Sequence, residues 1–322
     1  MTSERGQECE ELFRNRKYAE ALNCFDRAVS EHPEDVDLWV NRGTTLLRLG
    51  HWAELLESAD RALVLKPDYG YAHTLRGTAL FSMNRLSEAL ESYDRAADLD
   101  PDLSVAWHYR ADTLWRLQRY PEALASIDRA IALNPDDGDS HSLRTLTLVT
   151  LGRWAEALMS ADRALTIDAQ DIRALQCKSR ALFNLMRFEE ALTSADQALV
   201  LDPEMTPAHY DRAQALYRLE RLAEALASTE RAIALDAGDP NVWTLRASVF
   251  GKLGKEKEAI QCADKALAID KENIPALKVK AAGYGKQGLH HEALIYLEEA
   301  ARLGDAQASL LARTVRQGFP LR

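Results

Sequence analysis

Residues Ser104 to Asp137 read Ser-Val-Ala-Trp-His-Tyr-Arg-Ala-Asp-Thr-Leu-Trp-Arg-Leu-Gln-Arg-Tyr-Pro-Glu-Ala-Leu-Ala-Ser-Ile-Asp-Arg-Ala-Ile-Ala-Leu-Asn-Pro-Asp-Asp. Two helical patterns lie back to back in this stretch. Trp107, Ala111 and Leu114 recur at i, i+4 and i+7, which places them on one face of a first helix. Ala123, Ile127, Ala130 and Leu133 do the same for a second. The small residues Ala111, Ala123 and Ala130 let the two backbones approach closely. Pro121 fits the first turn of the second helix, where its missing N–H is not needed, and Pro135 stops that helix.

Most of the chain repeats this stretch. Prolines fall at 33, 67, 101, 135 and 203, a spacing of 34 or twice 34. Nine repeats of 34 residues therefore run from position 2 to 307. Counting each repeat from 1, position 27 is Ala in all nine, from Ala28 to Ala300, and position 20 is Ala in all but one, Leu55. Position 19 is always Glu, from Glu20 to Glu292, in the first turn of the second helix, where a carboxylate suits the helix dipole. Position 15 is Gly or Asn in five repeats (Gly50, Asn84, Gly152, Gly254, Gly288), a left-handed stop for the first helix.

This period and pattern resemble the tetratricopeptide repeat superfamily. The resemblance implies an all-α fold, a right-handed superhelical solenoid of nine helix-turn-helix repeats (2–35, 36–69, 70–103, 104–137, 138–171, 172–205, 206–239, 240–273 and 274–307), with a capping helix and tail over 308–322. One position departs from the family pattern. Where it usually carries Leu, position 7 here is basic: Arg42, Arg76, Arg110, Arg144, Lys178, Arg212, Arg246 and Lys280, with Glu8 in the first repeat. A cation packed between helices costs several kcal/mol unless it is paired. Position 25 is acidic throughout, from Asp26 to Glu298. Pairing within a repeat would set Glu8 against Asp26. Pairing each acid with the base of the next repeat makes all eight pairs opposite in sign. The arginine row is therefore read as a set of inter-repeat rungs, in preference to a phosphate-binding stripe.

Composition narrows the function. The net charge of −10 argues against broad binding to nucleic acid or anionic membrane. No run of apolar residues is long enough to span a bilayer, and the first residues lack the apolar core of a signal peptide. Cys9, Cys24, Cys177 and Cys262 are scattered without Cys-x-x-Cys spacing. They are read as thiols in a reducing, cytoplasmic setting, with no disulfide framework and no metal site. His73, His141 and His209 stand where other repeats have Trp. Two repeats apart, they lie roughly 20 Å from one another, too far to share an ion, so they read as replacements for a packing aromatic. His290 and His291 are adjacent and diverge on a helix. No phosphate loop, His-Glu-x-x-His or Gly-x-Ser-x-Gly occurs. Cys177 is a candidate exposed thiol, but no histidine is expected beside it. With about 15 residues outside the repeats, no separate catalytic domain fits, and neither enzymatic activity nor a cofactor is expected.

The resemblance implies that the first helices line an inner groove through positions 2, 5, 9, 12 and 13. Those positions carry nine bases and four acids, opposite in sign to the whole chain. Phe81, His108, Trp115, Arg116, Arg173, Arg180, Phe183, Tyr210, Gln214, Tyr217 and Arg218 are the expected peptide-binding residues, because aromatic and Arg anchors suit interface hot spots. Bases at position 13 also answer the dipole of the first helix whether or not a ligand binds. The expected function is a non-enzymatic protein–protein interaction scaffold holding an extended, acidic or aromatic-bearing segment of a partner. Two alternatives are a regulatory subunit of a separate enzyme or transcription complex, and single-stranded RNA binding by base stacking. The family's clamp for chaperone C-terminal carboxylates is not expected, since Asn41 and Arg173 match single elements of it in different frames. At the ends, Arg5 gives the first repeat a polar outer face. Leu310, Leu311, Thr314 and Val315 make a short amphipathic cover for the last repeat, ended by Gly318 and Pro320.

Overall fold

The computed structural model describes residues 4–317; Gly318 and Pro320, and the side chain of Arg5, lie outside the described part. Nineteen helices follow one another among the described residues. The first half holds α1 (Glu4–Arg14), α2 (Tyr18–Glu31), α3 (Val36–Leu49), α4 (Trp52–Leu65), α5 (Gly70–Ser82), α6 (Leu86–Leu99), α7 (Ser104–Arg116), α8 (Tyr120–Leu133), α9 (Gly138–Thr150) and α10 (Trp154–Ile167). The second holds α11 (Ile172–Asn184), α12 (Phe188–Leu201), α13 (Thr206–Arg218), α14 (Leu222–Leu235), α15 (Pro240–Lys252), α16 (Glu256–Ile269), α17 (Ile274–Lys286), α18 (His290–Arg302) and α19 (Ala306–Arg316). This is an all-α helical-repeat solenoid. Contacts divide it into two compact halves, residues 1–169 and 170–322, a division the even repeat pattern did not announce. Within each half, first helices of consecutive repeats touch one another, as α3 touches α5 and α13 touches α15, while consecutive second helices make no comparable approach. Each half therefore curves with its first helices on the inner side.

The invariant small residues explain the close packing. Every residue at positions 20 and 27, Leu55 included, is at most 1 % exposed. The turn between the paired helices is left-handed in all nine repeats. The five Gly and Asn residues at position 15 adopt positive φ, and so do Arg16, Gln118, Met186 and Glu220 at φ of 59–63°. A side chain there costs about 1 kcal/mol, which each repeat bears because its two helices must reverse within that turn.

The rungs form between repeats. Arg42 Nε lies 2.7 Å from Asp26, Arg76 2.9 Å from Asp60, Arg110 2.6 Å from Asp94 and Arg144 2.7 Å from Asp128. In the second half Arg212 lies 2.6 Å from Asp196, Lys280 pairs with Asp264, and Arg246 stands 4.0 Å from Glu230. The eighth pair, Asp162 and Lys178, has one member in each half. The guanidinium has a second partner. Its Nη1 donates to the serine at position 23 of its own repeat: Arg42 to Ser58, Arg76 to Ser92, Arg110 to Ser126 and Arg212 to Ser228, at 2.5–2.7 Å. One cation thus ties three helices.

The alternation of Trp and His has an equally local cause. The ring N–H of each donates to the carbonyl of position 32 in the preceding repeat, at 2.9–3.0 Å, for Trp39, His73, Trp107, His141, His209 and Trp243. The two residue types share a flat ring with an N–H. This bond assigns the Nε2–H tautomer to the histidines and leaves that nitrogen unavailable to a metal.

The ends replace what a neighbour would supply. Cys24 occupies position 23 of the first repeat, where the arginine-binding serine stands elsewhere, and it is disulfide-bonded to Cys9 on α1. This corrects the expectation of four thiols and removes the argument from cysteine usage for a reducing compartment. The repeat that has Glu8 and no arginine joins its helices covalently instead. At the other end, Glu298 is the last acid of the row, and Arg316 on α19 answers it at 2.5 Å. The cap also differs from expectation: α19 begins at Ala306 under an Asp305 cap. Ala308, Leu311, Ala312 and Val315 face the last repeat, whereas Leu310 is 64 % exposed.

Two outcomes test these ties. A double-mutant cycle of Asp94→Ala and Arg110→Ala, followed by urea denaturation, is expected to show about 0.5–1 kcal/mol of coupling; strict additivity would deny the rung an energetic role. Reduction of Cys9–Cys24 opens a loop of about 15 residues, for which chain entropy gives a local loss of about 3 kcal/mol. Amide exchange should then rise in α1 and α2 and stay unchanged from α5 onward.

Candidate functional site

The inner face of each half is the C-terminal portion of its first helices. There, at three places, the aromatic at position 12 of one repeat lies under the cation at position 13 of the next. Arg116 sits 4.0 Å from the ring centre of Phe81. Arg218 sits 4.4 Å from Phe188 and 5.8 Å from Phe183, which itself meets Phe188 edge-on. Lys252 sits 4.2 Å from Tyr217. Consecutive first helices are held at the right spacing by the rungs, so one repeat's last turn overhangs the ring of the repeat before it.

The expected binding residues fall into two groups, one per half. In the first, Phe81 and Arg116 come together as above. Trp115 does not join them on the surface. It is half-buried, packs with Leu90, Leu114 and Ala123, and meets Tyr120 edge-on, so it belongs largely to the core. Its Nε1 is buried without a partner. His108 Nδ1 bonds Ser140 Oγ at 2.8 Å, and that hydroxyl donates to Asp137, so the imidazole bridges two repeats. In the second half, Arg173 is exposed. Arg180 is spent on a carboxylate: its Nε lies 3.2 Å from both oxygens of Asp211. Gln214 donates to the Tyr210 hydroxyl at 3.0 Å. Burial pushes the Tyr210 phenol up to about 12. Asp211 is 3 % exposed in its side chain, and burial pushes its carboxyl up to about 6 against the pull of Arg180.

Position 13 cations differ sharply from the structural bases in what they touch. The rung bases have carboxylates, and the arginines at position 16 make bidentate pairs with the invariant Glu three residues on, as Arg85 does with Glu88 and Arg119 with Glu122. Among the described residues, Arg116 and Arg218 have no carboxylate within ion-pair distance, and both are exposed. The candidate thiol is corrected. Cys177 is 1 % exposed, and burial pushes it up to about 12, which makes it a poor nucleophile at neutral pH. Among the described residues no group of His, Cys, Asp or Glu could hold a metal ion, and no helix is long and apolar enough to cross a membrane.

A hollow of about 280 Å³ opens between α15 and α17, floored by Ala259, Val279 and Gly283 and rimmed by Tyr217, Lys252 and Lys286. Its sequence signal is Gly251 at position 12, where the seven earlier repeats carry larger side chains.

Comparison with known proteins agrees with this geometry. Tetratricopeptide repeat family models match residues 10–69, 40–104, 110–172, 178–240 and 240–273. The chain belongs to the tetratricopeptide repeat family. It is at that level a protein-interaction scaffold, of a fold typical of non-enzymatic ones. The fold is similar to that in the Cut9–Hcn1 hetero-tetramer of the APC/C, with a TM-score of 0.63, 18 % identity and 86 % of this chain covered; the chain spans about half, 54 %, of the matched one. PilF of Pseudomonas aeruginosa is similar over 67 % of this chain and 97 % of its own, with a TM-score of 0.57 and 19 % identity. YrrB, described as a repeat protein with an unusual peptide-binding site, covers 58 % of this chain and 96 % of its own, with a TM-score of 0.52 and 23 % identity. No curated protein matches the chain.

The buried carboxyl gives a pH signature. Asp211 in the folded chain holds its proton above the ordinary carboxylate range, so its stabilising contribution is intact below about pH 3.8 and is lost as pH rises through about 6. Asp211→Asn should therefore flatten the dependence of the urea midpoint between pH 4 and 6 and raise the midpoint at pH 7. An unchanged slope would show that Arg180 keeps the carboxylate charged throughout.

Proposed function

We propose that the chain binds an extended segment of a partner protein along the inner face of its first helices. The supporting observation is the state of Arg116 and Arg218. Each is exposed, lies over an aromatic ring and is free of any carboxylate, whereas the rung and turn bases around them are matched with acids. Stacking fixes the plane of a guanidinium without using its N–H groups. Such a group is preorganised to take a carboxylate in fork geometry. Arg173 adds a third exposed base, and Phe81, Phe183, Tyr210 and Tyr217 supply apolar surface beside them. His108, Gln214 and the Arg180–Asp211 pair supply polar contacts from side chains already held in place, and Trp115 supports the surface from beneath. The segment is accordingly acidic with aromatic side chains. Binding of this kind suits a scaffold, and regulation of a separate enzyme or transcription complex would be its consequence.

The test is a phage-displayed random peptide library panned on the wild-type chain and on a variant with Arg116→Glu and Arg218→Glu. Acidic, aromatic-containing peptides should be enriched on the wild type. They should bind the variant about tenfold or more weakly, with the thermal melt of the variant unchanged. Equal binding, or no enrichment, would overturn the proposal. Oligo(U) binding that is lost steeply between low and moderate salt would redirect it to single-stranded RNA.

A further inference from the structure

In the second half the stack of rings and cations on the inner face stops short at one repeat. In the second half, the ring at position 12 lies under the cation of the following repeat twice in succession, Phe183 with Arg218 and Tyr217 with Lys252. The next member of the series has its cation, Lys286, but Gly251 stands where the ring should be. A side chain begun at Gly251 would meet no atom within 4 Å, and its backbone φ is not in the left-handed region, so neither space nor conformation requires a glycine there. Lys286 reaches over the empty seat and donates to the Gly251 carbonyl at 2.8 Å, with Glu256 at 3.7 Å. The floor is apolar, and the hollow of about 280 Å³ lies just below the size range of small-molecule pockets. Gly283 forms part of that floor, and its Cβ position is closed by Ile260 at 2.8 Å, so the floor is fixed against the second helix.

We infer that this hollow receives an aromatic side chain of the bound partner segment, which completes the interrupted series between Tyr217 and Lys286. This rests on reading the inner face as the peptide-binding surface, and it names one residue type the peptide must carry. An aliphatic side chain would fill the same space but offers no π-face to the ammonium of Lys286. The neighbouring Tyr284 is stacked on Tyr296.

The hollow is tested directly by titrating N-acetyl-L-tryptophanamide into the full chain and following backbone amide resonances, with N-acetyl-L-leucinamide as the control. Saturable shifts are expected at Gly251, Ala282, Gly283 and Lys286, with the tryptophan probe binding roughly fivefold more tightly than the leucine probe, the equivalent of one cation–π contact. Gly251→Phe seats a ring from the chain itself and should abolish the shifts. Lys286→Met keeps the shape and removes the charge; it should bring the two probes to equal affinity. Absence of shifts at these amides, equal affinity in the wild type, or shifts that survive Gly251→Phe would overturn the inference. Library peptides that bind the wild type without requiring an aromatic residue, or bind Gly251→Phe equally well, would also overturn it while leaving the broader proposal standing. Saturable tryptophan-probe binding with no enriched peptide would support the hollow and defeat the broader proposal.

Discussion

The structure depends on a basic side chain that cannot be satisfied within its own repeat. At position 7 most members of the fold family pack an aliphatic side chain, and here a guanidinium or ammonium stands in the seam between helices. Leaving such a charge unpaired would cost more than a repeat can spare. Its carboxylate comes from the repeat before, and in four repeats its second donor meets a serine of its own repeat. The pairing is directional. Each repeat offers an acid forward and a base backward, so neighbours can only be added in one sense and one register.

That directionality accounts for the ends. The first repeat has Glu8 where the others carry a base. It also lacks the arginine that clips the paired helices together, and Cys9–Cys24 joins them at that same place. The last repeat has an acid with no successor, and Arg316 of the cap supplies the missing base. In the last two repeats the clip is rewritten: burial raises Cys262 while Arg246 pulls the other way, and Lys280 reaches both Asp264 and Tyr296. A capping helix is thus chosen for its charge as much as for its apolar stripe.

The rungs also set what the inner face can offer. By fixing the offset between first helices they place Arg116, Arg218 and Lys252 over the ring one repeat back. The rings of Phe81 and Phe188 hold the guanidinium groups of Arg116 and Arg218 over them, away from any carboxylate. Further along, the same offset carries Lys286 over a glycine. In the second half the same offset thus gives two filled seats and then an open one.

The sequence by itself determined the period, the helix pairs, the register of the rungs and the family, because each of these is written in residues that recur every 34 positions. The position 16 to 19 pairs and the serine row recur with the same period, but their bonds came to light only in the structure. Only the tertiary structure decided which side chains remain available. Arg180 and Arg116 look alike in the sequence, yet one faces a buried Asp211 and the other a bare ring, because availability depends on what the adjacent repeat happens to project. The same holds for Trp115, drawn into the core, and for Leu310, turned outward. Cys9 and Cys24 give no motif, since their pairing follows from the approach of two helices and not from spacing. The seat at Gly251 is invisible until helix packing shows that nothing fills it.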